Sequence, residues 1–163
     1  MRAAVLTVSD RSSRGERPDA GGPAVAAKLR ELGFEVATTT VVADERAEIA
    51  ARLRELAAAH DLVVTTGGTG LGPRDVTPEA TRAVLDREAP GFGEEMRRRS
   101  ADGFPRAILS RATAGTAGRC LVLNLPGSPR GAVECLGFVA EPLVHAVELL
   151  RGGEADCAAR GAK

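Results

Sequence analysis

The chain is poor in aromatic residues, in lysine and in net charge. It has no tryptophan or tyrosine, four phenylalanines and only two lysines among 163 residues, and its 22 basic residues equal its 22 acidic ones. A surface that stacks single-stranded bases needs aromatic rings, and non-specific binding to nucleic acid or an anionic membrane needs a basic excess. The composition therefore predicts neither a nucleic-acid partner nor a membrane partner.

Residues that form disulfides or bind zinc are also few. The cysteines are Cys120, Cys135 and Cys157, no Cys-x-x-Cys pair occurs, and the two histidines lie far apart in the sequence. An odd number of cysteines without paired spacing argues against a disulfide framework and a zinc site, and favours small core residues. The apolar N-terminal stretch turns polar at Thr7, so neither a signal peptide nor a membrane span is expected. The expected location is the reducing cytoplasm.

Short apolar runs and amphipathic patterns alternate along the chain. Runs typical of β-strands cover residues 3–8, 35–42, 62–66, 107–113 and 119–125. Helical patterns cover residues 21–32, a segment capped by Asp44, residues 77 to about 86, 90–100, and 129 to about 151. Gly115 and Gly118 predict a turn between the last two strands, and Pro142 predicts a kink or a local break in the last helix.

This alternation predicts a three-layer α/β/α fold. Strands that are apolar on both faces indicate a mostly parallel sheet covered by helices, with one antiparallel strand from the hairpin over 107–125. Ligands of such folds bind at the carboxyl ends of the strands, where the loops at 9–20, 67–76 and 126–130 and the Ala43–Asp44 junction are expected. Residues 1–152 are expected to form one domain, followed by a flexible tail at 153–163.

Residues 65–80 carry the most information about function. A strand ends in Gly67-Gly68-Thr69-Gly70, where glycine leaves backbone N–H groups unobstructed, and a helix begins near Thr77. Such amides near a helix N-terminus suit a phosphate. Arg74 and Asp75, which follow the glycines, suit a second phosphate and a metal ion.

Three phosphate-binding schemes compete for this loop. A Walker loop needs a lysine, and none lies between Lys28 and Lys163. The dinucleotide fingerprint Gly-x-Gly-x-x-Gly fits poorly, because the third glycine is displaced by one residue and the loop does not follow the first strand. The third scheme, a glycine loop with a carboxylate, is typical of a phosphate-bearing ligand bound with Mg²⁺.

Two carboxylates are the candidate catalytic and metal-binding residues. Asp75 precedes the predicted helix by two residues, where it could hold Mg²⁺ against a triphosphate or only cap the turn at Val76–Thr77. Asp44 ends the second strand and is expected at the same edge, but an aspartate before Glu45 is also a common helix cap. The residue pattern leaves both alternatives open.

Five motifs, taken in order, resemble the molybdopterin-binding domains of molybdenum cofactor biosynthesis, of the molybdopterin adenylyltransferase type. They are TVSDR at 7–11, VADE at 42–45, TGGTG at 66–70 with RDVTPEA at 74–80, ILSR at 108–111, and LNLPGSP at 123–129. Each is weak alone, but the ordered set is highly specific and spans residues 3 to about 150.

The resemblance implies an α/β fold, usually trimeric, and a reaction. The terminal phosphate of molybdopterin attacks the α-phosphorus of ATP with Mg²⁺ present, which gives adenylylated molybdopterin and pyrophosphate. Asp44 and Asp75 would then be catalytic and would bind Mg²⁺. The implied ligand-binding residues are Ser9, Asp10, Gly67, Gly68, Thr69, Gly70, Ser110, Arg111, Pro126, Gly127, Ser128 and Pro129. Each also has a structural alternative as a turn, a helix start or a surface residue.

Other functions stay open on the sequence. They are a paralogue that binds molybdopterin but transfers adenylate slowly or not at all, an oligomeric scaffold, and a generic nucleotide-binding α/β protein. The run Arg97-Arg98-Arg99 is interpreted as a solvated helix face or a subunit contact, because Glu94 and Glu95 precede it.

Overall fold

A six-stranded sheet forms the centre of the computed structural model, which describes residues 1–152. Its strands are β1 (Arg2–Val8), β2 (Glu35–Val42), β3 (Leu62–Thr66), β4 (Arg87–Glu88), β5 (Ala114–Ala117) and β6 (Cys120–Leu125), in the spatial order β2-β1-β3-β6-β5-β4. Strands β1, β2, β3 and β6 are parallel, and β5 runs antiparallel to both β6 and β4. The expected flexible tail at 153–163 lies outside the described residues.

Helices cover both faces of this sheet. They are α1 (Asp10–Ser13), α2 (Gly21–Glu31), α3 (Arg46–Ala57), α4 (Thr77–Arg82), α5 (Pro90–Ala101), α6 (Pro129–Phe138) and α7 (Ala140–Leu150), with a 3-10 turn at Pro105–Leu109. One core layer lies between the sheet and helices α2, α5, α6 and α7, and the other lies between the sheet and helices α3 and α4. The prediction of a three-layer, mostly parallel fold with one antiparallel strand is confirmed.

The two core layers follow from the alternation of side chains along each strand. In β1, Ala3 and Val5 pack into one layer and Ala4 and Leu6 into the other. A central strand must therefore be apolar at successive positions, which is why the apolar runs at 3–8 and 62–66 strongly predict buried strands. No helix among residues 1–152 is long and apolar enough to cross a membrane.

The predicted strand at 107–113 is wrong. The chain instead forms the 3-10 turn Pro105–Leu109, and the strand begins only at Ala114, where pairing with β6 starts. Pro105 favours a first helical turn because its φ is fixed and it has no N–H to donate to a ladder. Gly115 consequently lies inside β5, and Gly118 alone marks the turn.

The predicted single helix from residue 129 is two helices, α6 and α7, which meet at Val139. Pro142 lies in the first turn of α7, so the break occurs three residues before it rather than at it. Without an N–H, Pro142 cannot donate to the carbonyl of Phe138 four residues earlier. The Arg99 guanidinium donates to that carbonyl instead, at 3.3 Å.

Two shorter findings concern helix α4 and the cysteines. Helix α4 ends at Arg82, not near Asp86, and the amide of Val84 donates to the carbonyl of Thr81 three residues earlier, which tightens the last turn. Cys120 and Cys135 are buried free thiols, as expected of core residues. Burial raises the pKa of Cys120 to about 12, so that thiol stays protonated at neutral pH. Cys157 lies outside the described residues.

A buried asparagine joins three elements beneath the carboxyl end of the sheet. Asn124 of β6 is fully buried and donates to the hydroxyls of Thr65 in β3 and Thr81 in α4, at 3.0 and 2.9 Å. Its side-chain oxygen accepts a hydrogen bond from the amide of Thr113 at 3.4 Å. These bonds fix α4 against the sheet and thereby fix the loop that precedes α4.

We expect Asn124→Ala to lower the free energy of unfolding by about 2–4 kcal/mol, because it leaves buried hydroxyl and amide groups without partners. Urea denaturation followed by circular dichroism measures the change. Thr39→Val, on the exposed side of edge strand β2, is the control and should stay within about 0.5 kcal/mol of the parent. Equal stability of Asn124→Ala and the parent would contradict a stabilising role for the asparagine.

Candidate active site

The loops that follow β1, β2, β3 and β6 meet at the carboxyl edge of the sheet. Strand register sets Thr7 opposite Thr66 and Thr66 opposite Leu125, so the segments that leave these strands are neighbours. The amide of Gly67 donates to the carbonyl of Leu125 at 3.2 Å. A Cβ built on Gly127 would lie 3.3 Å from the Cα of Gly67. The glycine loop and the Pro126–Pro129 segment are therefore in contact.

The first two glycines of the loop adopt backbone conformations that favour glycine. Gly67 has a φ of +105° and Gly68 a φ of +63°. A Cβ at Gly67 would lie 2.2 Å from the carbonyl oxygen of Val8, and one at Gly68 would lie 2.4 Å from the hydroxyl of Thr77. The loop thus passes too close to β1 and to α4 for any side chain.

The amides that follow are available to a ligand. Within residues 1–152, nothing accepts a hydrogen bond from the N–H groups of Gly68, Thr69 or Gly70. The buried hydroxyl of Thr77, next to Gly68, is also without a partner. Unpaired polar groups concentrated at one place suit an anion that accepts several hydrogen bonds, such as a phosphate.

Asp44 lies beside this loop and is braced by Asp10. The carboxylate of Asp44 accepts from the Asp10 amide at 2.7 Å, and the Asp10 carboxylate accepts from the Asp44 amide at 3.0 Å. The other Asp44 oxygen lies 3.1 Å from the position of a Cβ on Gly68. Asp44 does not cap the next helix, because α3 begins after Glu45 and has no side-chain cap. Its predicted capping role is wrong.

Asp75 lies at the other end of the loop. Its carboxylate accepts from the amide of Gly72 at 2.8 Å and lies 2.9 Å from the position of a Cβ on Gly70. It does not cap α4, whose N-cap is Val76 without a side-chain bond. The two candidate carboxylates therefore flank the same three free amides from opposite ends.

Arg74 is held by two acids rather than left for a phosphate. Its guanidinium donates to both oxygens of Asp10, at 3.0 and 3.1 Å, and contacts Glu45 at 2.7 Å. The hydrogen bond from Arg74 lowers the pKa of Asp10, so Asp10 is ionised at neutral pH. The side chain of Arg74 is about half exposed, at 54%, so it remains accessible from solvent.

Asp44 has the opposite electrostatic environment. Burial raises the pKa of its carboxyl above the ordinary value, and the hydrogen bond from the Asp10 amide opposes that shift. The negative charges of Asp10 and Asp75 raise the pKa further, while Arg74 lowers it. A cation placed between Asp44 and Asp75 would relieve this repulsion.

The chain's own donors fit Mg²⁺ only in part. Among residues 1–152, no three side chains of histidine, cysteine, aspartate or glutamate are grouped so that they could hold a metal ion. Mg²⁺ commonly uses one or two carboxylates and takes its other ligands from water and substrate phosphates. Asp44 and Asp75, beside an amide cradle suited to phosphates, match that donor set.

A cavity of about 600 Å³ extends from the glycine loop, and sequence reasoning missed most of its lining. Thr69 and Gly70 form one wall, and Ser110, Pro126 and Ser128 form another part. The lining residues that were not predicted include the charged and aromatic side chains Arg97, Arg99, Phe104, Arg106, Arg130, Glu134 and Phe138. No motif connects these positions in the sequence, so only the folded chain brings them together.

The arginine run at 97–99 separates into three environments. Arg97 is half-buried, lines the cavity and donates to the carbonyls of Ser110 and Ala112. Arg98 forms a surface pair with Glu95, and Arg99 stacks over Phe138 with its Cζ 4.6 Å from the ring centre. The interpretation as one solvated face is wrong for Arg97.

The remaining predicted site residues have structural partners of their own. Ser9 caps α1 and Ser128 caps α6 through their hydroxyls, and Pro129 occupies the first turn of α6. The Ser110 hydroxyl accepts from the amide of Ala112, and Arg111 is bound to the glycine loop itself. Ser110 and Ser128 line the cavity and Arg111 contacts the glycine loop, whereas Pro129 is not part of the cavity lining and Ser9 follows β1 at the same edge.

A larger cavity, of about 790 Å³, lies at the opposite edge of the sheet. Its arginines already have partners in the chain: Arg54 donates to the carbonyl of Ala83, Arg119 donates to the carbonyl of Leu150, and Arg151 pairs with Asp61. The free amides and the two acids lie at the carboxyl edge, so the smaller cavity is the one adjacent to the candidate chemistry.

Because the pKa of Asp44 is raised, we expect that removing its charge increases the stability of the fold, by an amount that depends on pH. Below the ordinary carboxyl pKa of about 3.9 the group is protonated whether the chain is folded or unfolded. As the pH rises through the higher folded value, the charge disfavours folding. Asp44→Asn, which keeps an oxygen for the Asp10 amide, should therefore raise the Tm at pH 7, with the gain vanishing towards pH 4. Thermal melts without Mg²⁺ measure it.

Asp102→Asn, at an exposed position after α5, is the matched control for this experiment and should leave the Tm nearly constant at each pH. A Tm at pH 7 that is lower for Asp44→Asn than for the parent would show that the Asp44 charge stabilises the fold.

Comparison with known proteins shows the family of the chain. The family described as “Probable molybdopterin binding domain” matches residues 4–146. The molybdopterin adenylyltransferase of Helicobacter pylori J99 is 44% identical over 155 residues, which cover 91% of this chain and 86% of that protein. That of Escherichia coli K12 is 46% identical over 147 residues, which cover 86% of this chain and 74% of that protein.

The structural comparison gives the same result. The crystal structure of the molybdopterin biosynthesis enzyme MoaB from Thermus thermophilus is 50% identical, with a TM-score of 0.87 over 93% of this chain and 96% of that one. The resemblance drawn from the five ordered motifs is confirmed. The chain belongs to the molybdopterin-binding domain family.

Proposed function

We propose that the chain is a molybdopterin adenylyltransferase, which transfers AMP from ATP to the terminal phosphate of molybdopterin. The observation that carries the proposal is the placement of Asp44 and Asp75 on either side of three free amides, next to a cavity of about 600 Å³. Relatives that share 44–46% of their residues over most of the chain carry the name of this activity.

In this reaction an oxygen of the molybdopterin phosphate forms a bond to the α-phosphorus of ATP, and the bond to pyrophosphate breaks. Such transfers depend mainly on alignment and on charge stabilisation. We assign the phosphate contacts to the amides of Gly68, Thr69 and Gly70, which are already fixed by the tight turn at Gly67. Fixed donors need little reorganisation when charge moves between the phosphates.

Asp44 and Asp75 are the residues that would hold Mg²⁺. When bound, Mg²⁺ neutralises phosphate charge and favours the departure of pyrophosphate. Burial, and then the negative charges of Asp10 and Asp75, raise the pKa of Asp44, so a cation bound with the nucleotide would stabilise the ionised carboxylate.

The cavity suits the organic part of a substrate. Its volume lies within the range of about 300–1,000 Å³ that is common for small-molecule sites. Phe104 and Phe138 supply apolar walls, and Arg106 and Arg130 supply positive charge. A phosphorylated pterin combines a flat ring with an anionic group, so we place molybdopterin here and the nucleotide phosphates over the glycine loop.

We also propose a homotrimer, as the resemblance implied, and a cytoplasmic location, as the composition predicted. Phe104, Ile108 and Leu109 leave large apolar surfaces exposed, with Ile108 at 73%, which supports association with further protein surface. The free thiols of Cys120 and Cys135 suit a reducing compartment. Sedimentation equilibrium tests the trimer, and a monomeric mass at micromolar concentration would contradict it.

Asp75→Asn should reduce kcat for AMP transfer by about 100-fold or more, because it removes one of two charges available to a metal–triphosphate. The affinity for molybdopterin should change little. The side-chain oxygen of the asparagine still accepts a hydrogen bond from the Gly72 N–H, and the cavity walls are untouched. The assay follows pyrophosphate release and formation of adenylylated molybdopterin with ATP and Mg²⁺.

Asp102→Asn is the control and should transfer AMP at the parent rate. An Asp75→Asn variant as fast as the parent would remove Asp75 from the catalytic assignment. A parent protein that binds molybdopterin but transfers no AMP would instead identify a binding paralogue.

A further inference from the structure

One residue outside the glycine loop contacts it at both ends. The amide of Arg111 donates to the carbonyl of Thr69 at 2.9 Å, and its Nε donates to the carbonyl of Gly70 at 2.7 Å. Its Nη2 donates to the carbonyl of Asp75, five residues further along the loop. Arg111 therefore joins the free amides to the chain segment that carries the Asp75 carboxylate.

Glu79 holds the guanidinium in this position. The Nη1 atom of Arg111 donates to one oxygen of Glu79, which lies in helix α4. The other Glu79 oxygen is buried without a partner, so Arg111 supplies the carboxylate with its compensating charge. The side chains are 32% and 36% exposed, which places the pair between the surface and the core.

The geometry uses a property that arginine has and lysine lacks. A planar guanidinium offers donors in fixed directions, so it can bind acceptors on several sides at once. Here three of its nitrogens meet Gly70, Asp75 and Glu79. A lysine ammonium keeps the charge but cannot hold those acceptors at fixed separations.

We propose that Arg111 is a positioning residue, which sets the distance between the phosphate-binding amides and the Asp75 carboxylate, and that Glu79 orients it. The resemblance implied a direct ligand contact for Arg111, whereas the bonds in the structure direct its side chain to the loop. The inference deepens the proposed function and rests on it.

Glu79→Gln separates positioning from direct phosphate binding. If Arg111 positions the loop, the variant loosens the guanidinium and lowers kcat. If Arg111 binds a phosphate, loss of the competing carboxylate frees the guanidinium and lowers KM. The two roles thus predict effects on different kinetic constants.

The experiment compares the parent with Arg111→Lys, Glu79→Gln and the double variant. For Arg111→Lys we expect kcat to fall about 10- to 100-fold, since small misplacements of reacting groups cost that much, with both KM values within about 3-fold. Glu79→Gln should change kcat in the same direction by less. The double variant should be no slower than Arg111→Lys, because both changes break one unit.

Hydrogen exchange of the amides at 67–76 provides a readout that does not need activity. It should be faster in Arg111→Lys and in Glu79→Gln than in the parent. Arg52→Lys and Glu55→Gln alter an exposed surface pair on α3 and serve as matched controls, with kinetics and loop exchange unchanged.

The positioning role is overturned by a lower KM in Glu79→Gln, or by a higher KM with unchanged kcat in Arg111→Lys. It is also overturned if loop exchange in both variants equals that of the parent. A parent that transfers no AMP would refute the proposed function alone, because the exchange measurement would still decide whether Arg111 holds the loop.

Discussion

Parallel pairing of β1, β3 and β6 is the constraint on which the site depends. Because Thr7, Thr66 and Leu125 are register partners at the ends of their strands, three loops must leave the sheet side by side. The glycine loop fits between its neighbours only because Gly67 has no side chain to meet Val8. The position of the glycine loop, and so of its free amides, follows from that close approach.

Charge is distributed unevenly across this edge. Asp10 is neutralised by Arg74, whereas Asp44 keeps an unfavourable charge and a raised pKa. Arg111 and Glu79 neutralise each other at the far end of the loop. The arginines next to the glycines thus bind the protein's own acids and carbonyls, and within residues 1–152 neither Asp44 nor Asp75, the two acids beside the free amides, has a cationic partner of its own. Such a site favours a cation and its anionic ligand arriving together.

The sequence was sufficient for the parallel strands and insufficient for β4, for β5 and for side-chain partners. Runs of β-branched and apolar residues at 35–42 and 62–66 match their strands residue for residue. The capping role for Asp44 was wrong because its carboxylate accepts a hydrogen bond from the amide of Asp10, 34 residues earlier. The spacing of residues near Asp44 cannot predict such a contact. The run at 107–113 misled because Ile108 and Leu109, apolar like strand residues, remain largely exposed. The Arg111 side chain likewise contacts residues that lie 32 to 41 positions away in the sequence.

Strand β6 is late in the chain but lies at the middle of the sheet, between β3 and β5. During synthesis, the first three strands leave the ribosome well before it does. Until β6 emerges and inserts, the edge of β3 remains open and the segment that contacts Gly67 is still inside the exit tunnel. The cavity walls at 126–138 therefore emerge after the glycine loop and both acids, so the two substrate regions are completed at different times during synthesis.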